Sequence, residues 1–163
     1  HRAAAAQEMR SAAPMSGLAA NAGTLDKNAP TATPQQRRSM CQLAISDLPA
    51  HIAAKVQVNP IEILRMGPSY AIDTVEAVAQ NYPEDTIVLV IGQDAAEKLE
   101  QWHRIDELRD MVEFLVIGRP GFVGNGVDIG ALDVAATTIR QGLSADVSSS
   151  VAAFIRENNL YDN

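Results

Sequence analysis

A chain of 163 residues that is 47% hydrophobic and 20% charged is sized for one globular domain around a single core. Its net charge of -7 excludes nucleic acid as the main partner, because neutralising a phosphate backbone needs many cationic contacts. The single Cys41 excludes an internal disulfide, no Cys/His spacing suggests zinc, and the longest uncharged stretch, 11–25, is too interrupted by Pro14, Gly17, Asn21 and Gly23 to be a membrane span or signal core, so a cytoplasmic setting is expected.

In chain order, residues 2–10 (RAAAAQEMR) carry strong helix formers, whereas 11–34 has no apolar period and reads as a flexible loop or linker. From Pro34 the pattern is helical, with Met40, Leu43 and Ala44 at i, i+3, i+4 and an end near 47–49. Residues 55–64 (KVQVNPIEIL) alternate around Asn59-Pro60 and predict an edge strand with a break. Ser69 is placed to cap a helix whose buried stripe is Ile72, Val75 and Val78. Two apolar runs, 86–91 (TIVLVI) and 112–117 (VEFLVI), have the composition of strands buried on both faces of a parallel sheet. A helical stretch with Leu99, Ile105 and Leu108 separates them, which predicts a right-handed βαβ crossover. A Gly-rich loop over 122–130, a short strand at 132–134, a helix over 137–143 and a last helix with Val147, Val151, Phe154 and Ile155 complete the chain.

Ligands of open parallel sheets sit beyond the carboxyl ends of the strands, where helix N-termini offer free N–H groups. That rule selects Gly92 and Asp94 after the first run, Arg119 and Gly121 after the second, and Arg140 on the later helix. Two arginines and a carboxylate around one crevice suit a nucleotide; taken one at a time, Asp94 reads first as a helix cap, Gly92 and Gly118 as strand ends and Arg119 as a solvated cation. Trp102, the only tryptophan, is either a platform for an aromatic ring or a core residue. His103 reads as a helix-start residue, and Asp106, Glu107, Arg109 and Asp110 as a solvated helix face. No Walker sequence is present, and Gly121-x-x-Gly124-x-Gly126 lacks the strand and helix of a dinucleotide fingerprint.

Taken in order, Gly67-Pro68-Ser69-Tyr70-Ala71-Ile72-Asp73-Thr74, Ile91-Gly92-Gln93-Asp94, Trp102-His103, Gly118-Arg119-Pro120-Gly121 and the closing Val151-Ala152-Ala153-Phe154-Ile155 with Leu160-Tyr161 resemble the bacterial nicotinate-nucleotide adenylyltransferases. Arg37-Arg38-Ser39-Met40 also matches that family's helix after its variable loop. The resemblance implies a Rossmann-like three-layer α/β fold, a parallel sheet flanked by helices, in one nucleotidyltransferase-like domain over 1–163, incomplete at its N-terminus. It further implies transfer of the adenylyl group of ATP, with Mg2+, to nicotinate mononucleotide, giving deamido-NAD and pyrophosphate in NAD biosynthesis. No membrane partner is expected, and self-association into a homo-oligomer is compatible with this reading.

Carried over by position, the resemblance assigns ATP to Gly92, Asp94, Arg119, Thr137 and Arg140, and the mononucleotide to Ser69, Tyr70 and Trp102. His1 stands where the second histidine of the family's opening motif would fall, so His1 and Arg140 are the catalytic candidates. The chain departs from the family at Ala135 and Ala136, which replace two serines, at Ala71, which replaces a threonine, and in lacking the opening strand. These departures keep open a non-catalytic or impaired nucleotide-binding relative, and a related adenylyltransferase with another substrate.

Overall fold

The computed structural model describes residues 15–18, 32–118, 120, 124–130, 136–142 and 146–161. It begins with β1 (Met15–Leu18), which pairs in parallel with β2 (Val56–Asn59) in the register Met15 to Val56 through Leu18 to Asn59. A strand within 11–34 corrects the expectation of an unbroken loop. Met-Ser-Gly-Leu has no strand pattern of its own, so its conformation comes from the β2 ladder. The predicted helix at 2–10 lies outside the described residues.

Helix α1 (Pro34–Ser46) starts and ends as its sequence predicts. Pro34 occupies the first turn, and Thr33 and Gln36 form a capping box: the Gln36 N–H donates to Thr33 Oγ1 at 3.1 Å and the Thr33 N–H to Gln36 Oε1 at 2.8 Å. After the single turn α2 (Ala50–Ala53), β2 stops at Asn59 and the chain enters another single turn, α3 (Ile61–Leu64). The second half of the strand predicted over 55–64 is therefore helical. The Asn59 side chain accepts from the Ile61 N–H at 3.0 Å, an Asx turn that Pro60 reinforces by having no N–H to continue the ladder.

Helix α4 (Ala71–Asn81) is capped by Tyr70, one residue later than predicted, with the Tyr70 N–H donating to Asp73 Oδ2 at 3.3 Å. Its stripe of Ile72, Thr74 and Val75 is buried, while Val78 is half-buried. Strands β3 (Ile87–Gly92) and β4 (Val112–Ile117) pair in parallel from Ile87 to Val112 through Gly92 to Ile117. Between them, one predicted helix is three pieces: α5 (Gln93–Ala96), a 3-10 turn at Leu99–Gln101, and α6 (Ile105–Met111). The break falls at Arg104, whose φ of 53° is left-handed and cannot continue a right-handed helix.

Ile72, Val75, Ile105, Leu108 and Val112 form one buried cluster, against which Ile87, Leu89, Phe114 and Trp102 also pack. Leu89 and Phe114 are neighbours across the ladder, so α4 and α6 cover one face of this strand pair. The alternate residues Val88 and Val90 are 48% and 43% exposed. Burial on both faces, expected from the apolar runs, thus holds for one face among the described residues.

Beyond β4 the chain returns alongside it, with Val127 bridging Ile117 in parallel and the Gly118 N–H donating to the Val127 carbonyl at 2.9 Å. This approach needs glycine, since a Cβ on Gly126 would lie 2.6 Å from the Gly118 nitrogen. The strand expected at 132–134 is outside the described residues. Helix α7 (Ala136–Arg140) occupies the start of the predicted 137–143 helix, and α8 (Ser149–Glu157) follows. The α8 start is tied to the α1 end: Asp47 accepts from the Ser150 hydroxyl at 2.6 Å and the Ser150 N–H at 3.1 Å. The described residues within His1–Met66 and Ala136–Asn163 make one compact unit, and those within Gly67–Ala135 a second.

Candidate active site

In the second unit, β3 ends at Gly92 and delivers Gln93 and Asp94 into the first turn of α5. The Asp94 carboxylate is exposed and folds back over the strand end: a Cβ on Gly92 would lie 2.7 Å from its Oδ1. A bare α-carbon next to a carboxylate is an arrangement that lets a hydroxylated ligand approach both backbone and acceptor. The buried Gln93 Oε1 has no hydrogen-bond partner among the described residues and lies where Cβ atoms on Gly124 and Gly126 would fall, so the returning loop closes over this amide. In the sequence only the place of Gln93 between Gly92 and Asp94 marks it.

The three residues assigned to the mononucleotide lie at the entries to α4 and α6. Ser69 is buried and engaged within the fold. Tyr70 is 42% exposed, and its ring centroid is 4.3 Å from that of His103 with the planes tilted by 32°. Trp102 is half-buried, resting on the cluster of Ile72, Val75, Ile105, Leu108 and Val112 while keeping part of its surface open. The structure therefore brings Tyr70 against His103, 33 residues along the chain, through a contact that no local pattern announces.

Arg104 anchors the next position of that turn. Its Nη2 lies 2.8 Å from Glu76 Oε1 on α4 and 2.6 Å from Glu107 Oε2 on α6, and its Nε donates to Glu107 Oε1 at 2.9 Å. The hydrogen bonds from Arg104 hold the Glu107 carboxyl below its ordinary range and raise Arg104 itself. Around α6, Arg109 pairs with Glu100 and approaches Asp106 at 3.7 Å, so the acidic helix face is an exposed ion-pair network, as its sequence suggests.

Two other assigned residues belong to the first unit. Arg140 is exposed at the end of α7 in the first unit and is itself engaged, and Thr137 lies in that helix's backbone. Arg119 and His1 are outside the described residues. A 410 Å³ depression at the amino ends of β3 and β4, lined by Asp85, Thr86, Ile87, Arg109, Asp110 and Glu113, lies at the wrong end of the strands for a ligand held by helix N-termini. Among the described residues no His, Cys, Asp and Glu side chains form a group that could hold a metal ion, and no helix is long and apolar enough to cross a membrane.

A parallel β3–β4 pair with helical crossover and polar residues at its carboxyl end is an arrangement that the α/β nucleotidyltransferases share with other nucleotide-binding sheets. A nicotinic acid mononucleotide adenylyltransferase of Plasmodium falciparum, solved complexed with APC, shares this fold, with a TM-score of 0.64 over 78% of this chain and 75% of that one at 16% identity. The chain belongs to the cytidylyltransferase-like family, whose sequence profile matches residues 4–153. Its relatives include the probable nicotinate-nucleotide adenylyltransferases of Bacillus pumilus strain SAFR-032, 36% identical over 68% of each chain, and of Oceanobacillus iheyensis, 34% identical over 80% of this chain and 72% of the relative. The nicotinate-nucleotide adenylyltransferase of Bacillus subtilis strain 168 is 31% identical over 77% of this chain and 70% of its own.

Proposed function

We propose that this chain transfers the adenylyl group of ATP to nicotinate mononucleotide, releasing pyrophosphate and forming deamido-NAD. The observation that carries the reading is the 36% identity to a probable nicotinate-nucleotide adenylyltransferase over 68% of both chains. The side chains agree with it: a carboxylate folds over a glycine at the end of β3, and the Tyr70 ring lies against His103, the neighbour in sequence of the partly exposed Trp102.

A phosphate oxygen of the mononucleotide attacks the α-phosphorus of ATP, and the bond to the pyrophosphate oxygen breaks. No covalent enzyme intermediate is required, so the chain contributes positioning and positive charge. In this reading Gly92 and Asp94 receive the adenosine ribose, and Ser69, Tyr70 and Trp102 border the nicotinate ring. Arg119 borders the adenine and the phosphates, Thr137 and Arg140 contact the ATP phosphates, and His1 and Arg140 make up the catalytic set. Bound with ATP, Mg2+ would supply charge neutralisation at the phosphates. Residues 1–163 act as one catalytic domain in a cytoplasmic setting, a reading supported by the family match running through both compact units.

Pyrophosphate release that requires both substrates tests the proposal, with nicotinamide mononucleotide and phosphopantetheine as competing acceptors. Arg140→Ala should lower kcat by about 100-fold, the scale of removing one donor to a developing charge. Binding of ATP without any pyrophosphate release would favour the non-catalytic relative that Ala71, Ala135 and Ala136 keep open.

A further inference from the structure

We infer that His103 and Arg104 are positioning residues that clamp the Trp102 turn onto α4 and so fix the direction in which the indole faces. The inference rests on the proposed reading that Trp102 borders the mononucleotide's pyridine ring. This turn belongs to no continuous helix. The 3-10 turn closes with the Trp102 N–H donating to the Leu99 carbonyl at 3.0 Å, and α6 begins only at Ile105. Between them Arg104 adopts φ 53° and ψ 44°, a backbone that glycine takes freely and arginine does not. Its side chain, rather than its backbone preference, accounts for arginine at this position.

Two successive side chains reach one helix. The His103 ring lies against Tyr70, the cap of α4, and the Arg104 guanidinium pairs with Glu76 in the middle of the same helix. Glu107 takes the Nε and Nη2 edge of that guanidinium, which fixes the planar group so that Nη2 also meets Glu76. The Trp102 side chain, next to His103 in sequence, packs against the cluster to which α4 contributes Ile72 and Val75. Arg104 and Glu76 are 34% and 37% exposed in their side chains, and ion pairs so placed add little to stability. What they supply is orientation, and a stacking platform depends on orientation.

Trp102 is the only tryptophan, so its emission reports the clamp in the ligand-free protein. Arg104→Gly keeps the left-handed backbone while removing both ion pairs; His103→Ala removes the ring contact and His103→Phe restores it. With circular dichroism unchanged, Arg104→Gly and His103→Ala should lower Trp102 anisotropy and increase its acrylamide quenching, and His103→Phe should not. The KM for nicotinate mononucleotide should rise about tenfold in the first two variants, less than the hundredfold that a 1 Å displacement can cost, with the KM for ATP unchanged. Unaltered anisotropy in both Arg104→Gly and His103→Ala overturns the clamp. A loosened indole with a wild-type mononucleotide KM overturns its positioning role, as does a His103→Phe variant that behaves like His103→Ala. If the wild-type chain releases no pyrophosphate, the proposed reaction fails separately, and anisotropy alone then decides for or against the clamp.

Discussion

Replacing Trp102 with alanine should weaken mononucleotide use far more than it weakens the fold. A fully buried aromatic truncated to alanine costs about 3 to 5 kcal/mol. Trp102 packs against the Ile72, Val75, Ile105, Leu108 and Val112 cluster with part of its surface open, so about half that cost, roughly 1.5 to 2.5 kcal/mol, is expected. For a chain of this size that corresponds to a fall in Tm of about 3 to 10 °C, which leaves the protein folded at 25 °C. Loss of a stacked ring should cost a further 1 to 3 kcal/mol of substrate interaction, about 5- to 150-fold in kcat/KM for the mononucleotide. Pyrophosphate release measured at saturating ATP against mononucleotide concentration separates the two effects. In the wild-type chain nicotinate mononucleotide should quench the tryptophan emission more than ATP does. A variant that melts as expected but retains wild-type kcat/KM, together with no quenching in the wild-type chain, would refute the platform.

Four further substitutions probe the scaffold. Leu89→Asp, on the covered face beside Phe114, should unfold the second unit because an unpaired buried carboxylate costs several kcal/mol, whereas Val88→Asp on the open face should melt close to wild type; equal melting of the two would show that the faces are misassigned. Gly126→Ala should destabilise by about 1 to 3 kcal/mol in denaturant titration, since its Cβ would press on the Gly118 backbone, and a neutral result would remove the close approach. The Asp47 carboxyl is held below its ordinary value of 3.8 by the Ser148 hydroxyl, which lies near it without ordinary hydrogen-bond geometry, and by the Ser150 hydroxyl and N–H. Because the folded state favours the ionised form, its stabilisation is complete above pH 3.8 and lost as pH falls through the lowered value. Asp47→Asn should therefore be less stable than wild type at pH 7, with the gap closing in acid; a gap independent of pH would contradict this linkage.

The elements that the chain announces are those whose determinants are local. Pro34 and the Thr33–Gln36 pair start α1 within four residues, and the β-branched runs mark β3 and β4 to within a residue. Which face of those strands is covered was not legible, because Val88 and Val90 are as apolar as Leu89 and alternation vanishes in a continuous run. The interruption before α6 escaped notice for a different reason: Arg104 holds its left-handed backbone with Glu76, 28 residues away, and local propensity carries no trace of that pairing. Gly92, Asp94 and Trp102 were legible as candidates from strand ends and from a lone aromatic, and their roles came from resemblance. The Tyr70–His103 contact became visible only when α4 and α6 were packed against the same strands.

The central claim is tested most directly by mixing the intact gene product with ATP, Mg2+ and nicotinate mononucleotide and following pyrophosphate and the dinucleotide product together. The account predicts equimolar pyrophosphate and deamido-NAD, with neither formed when either substrate is omitted. Binding of both substrates with no pyrophosphate released, or release driven by a different acceptor in place of nicotinate mononucleotide, would contradict it.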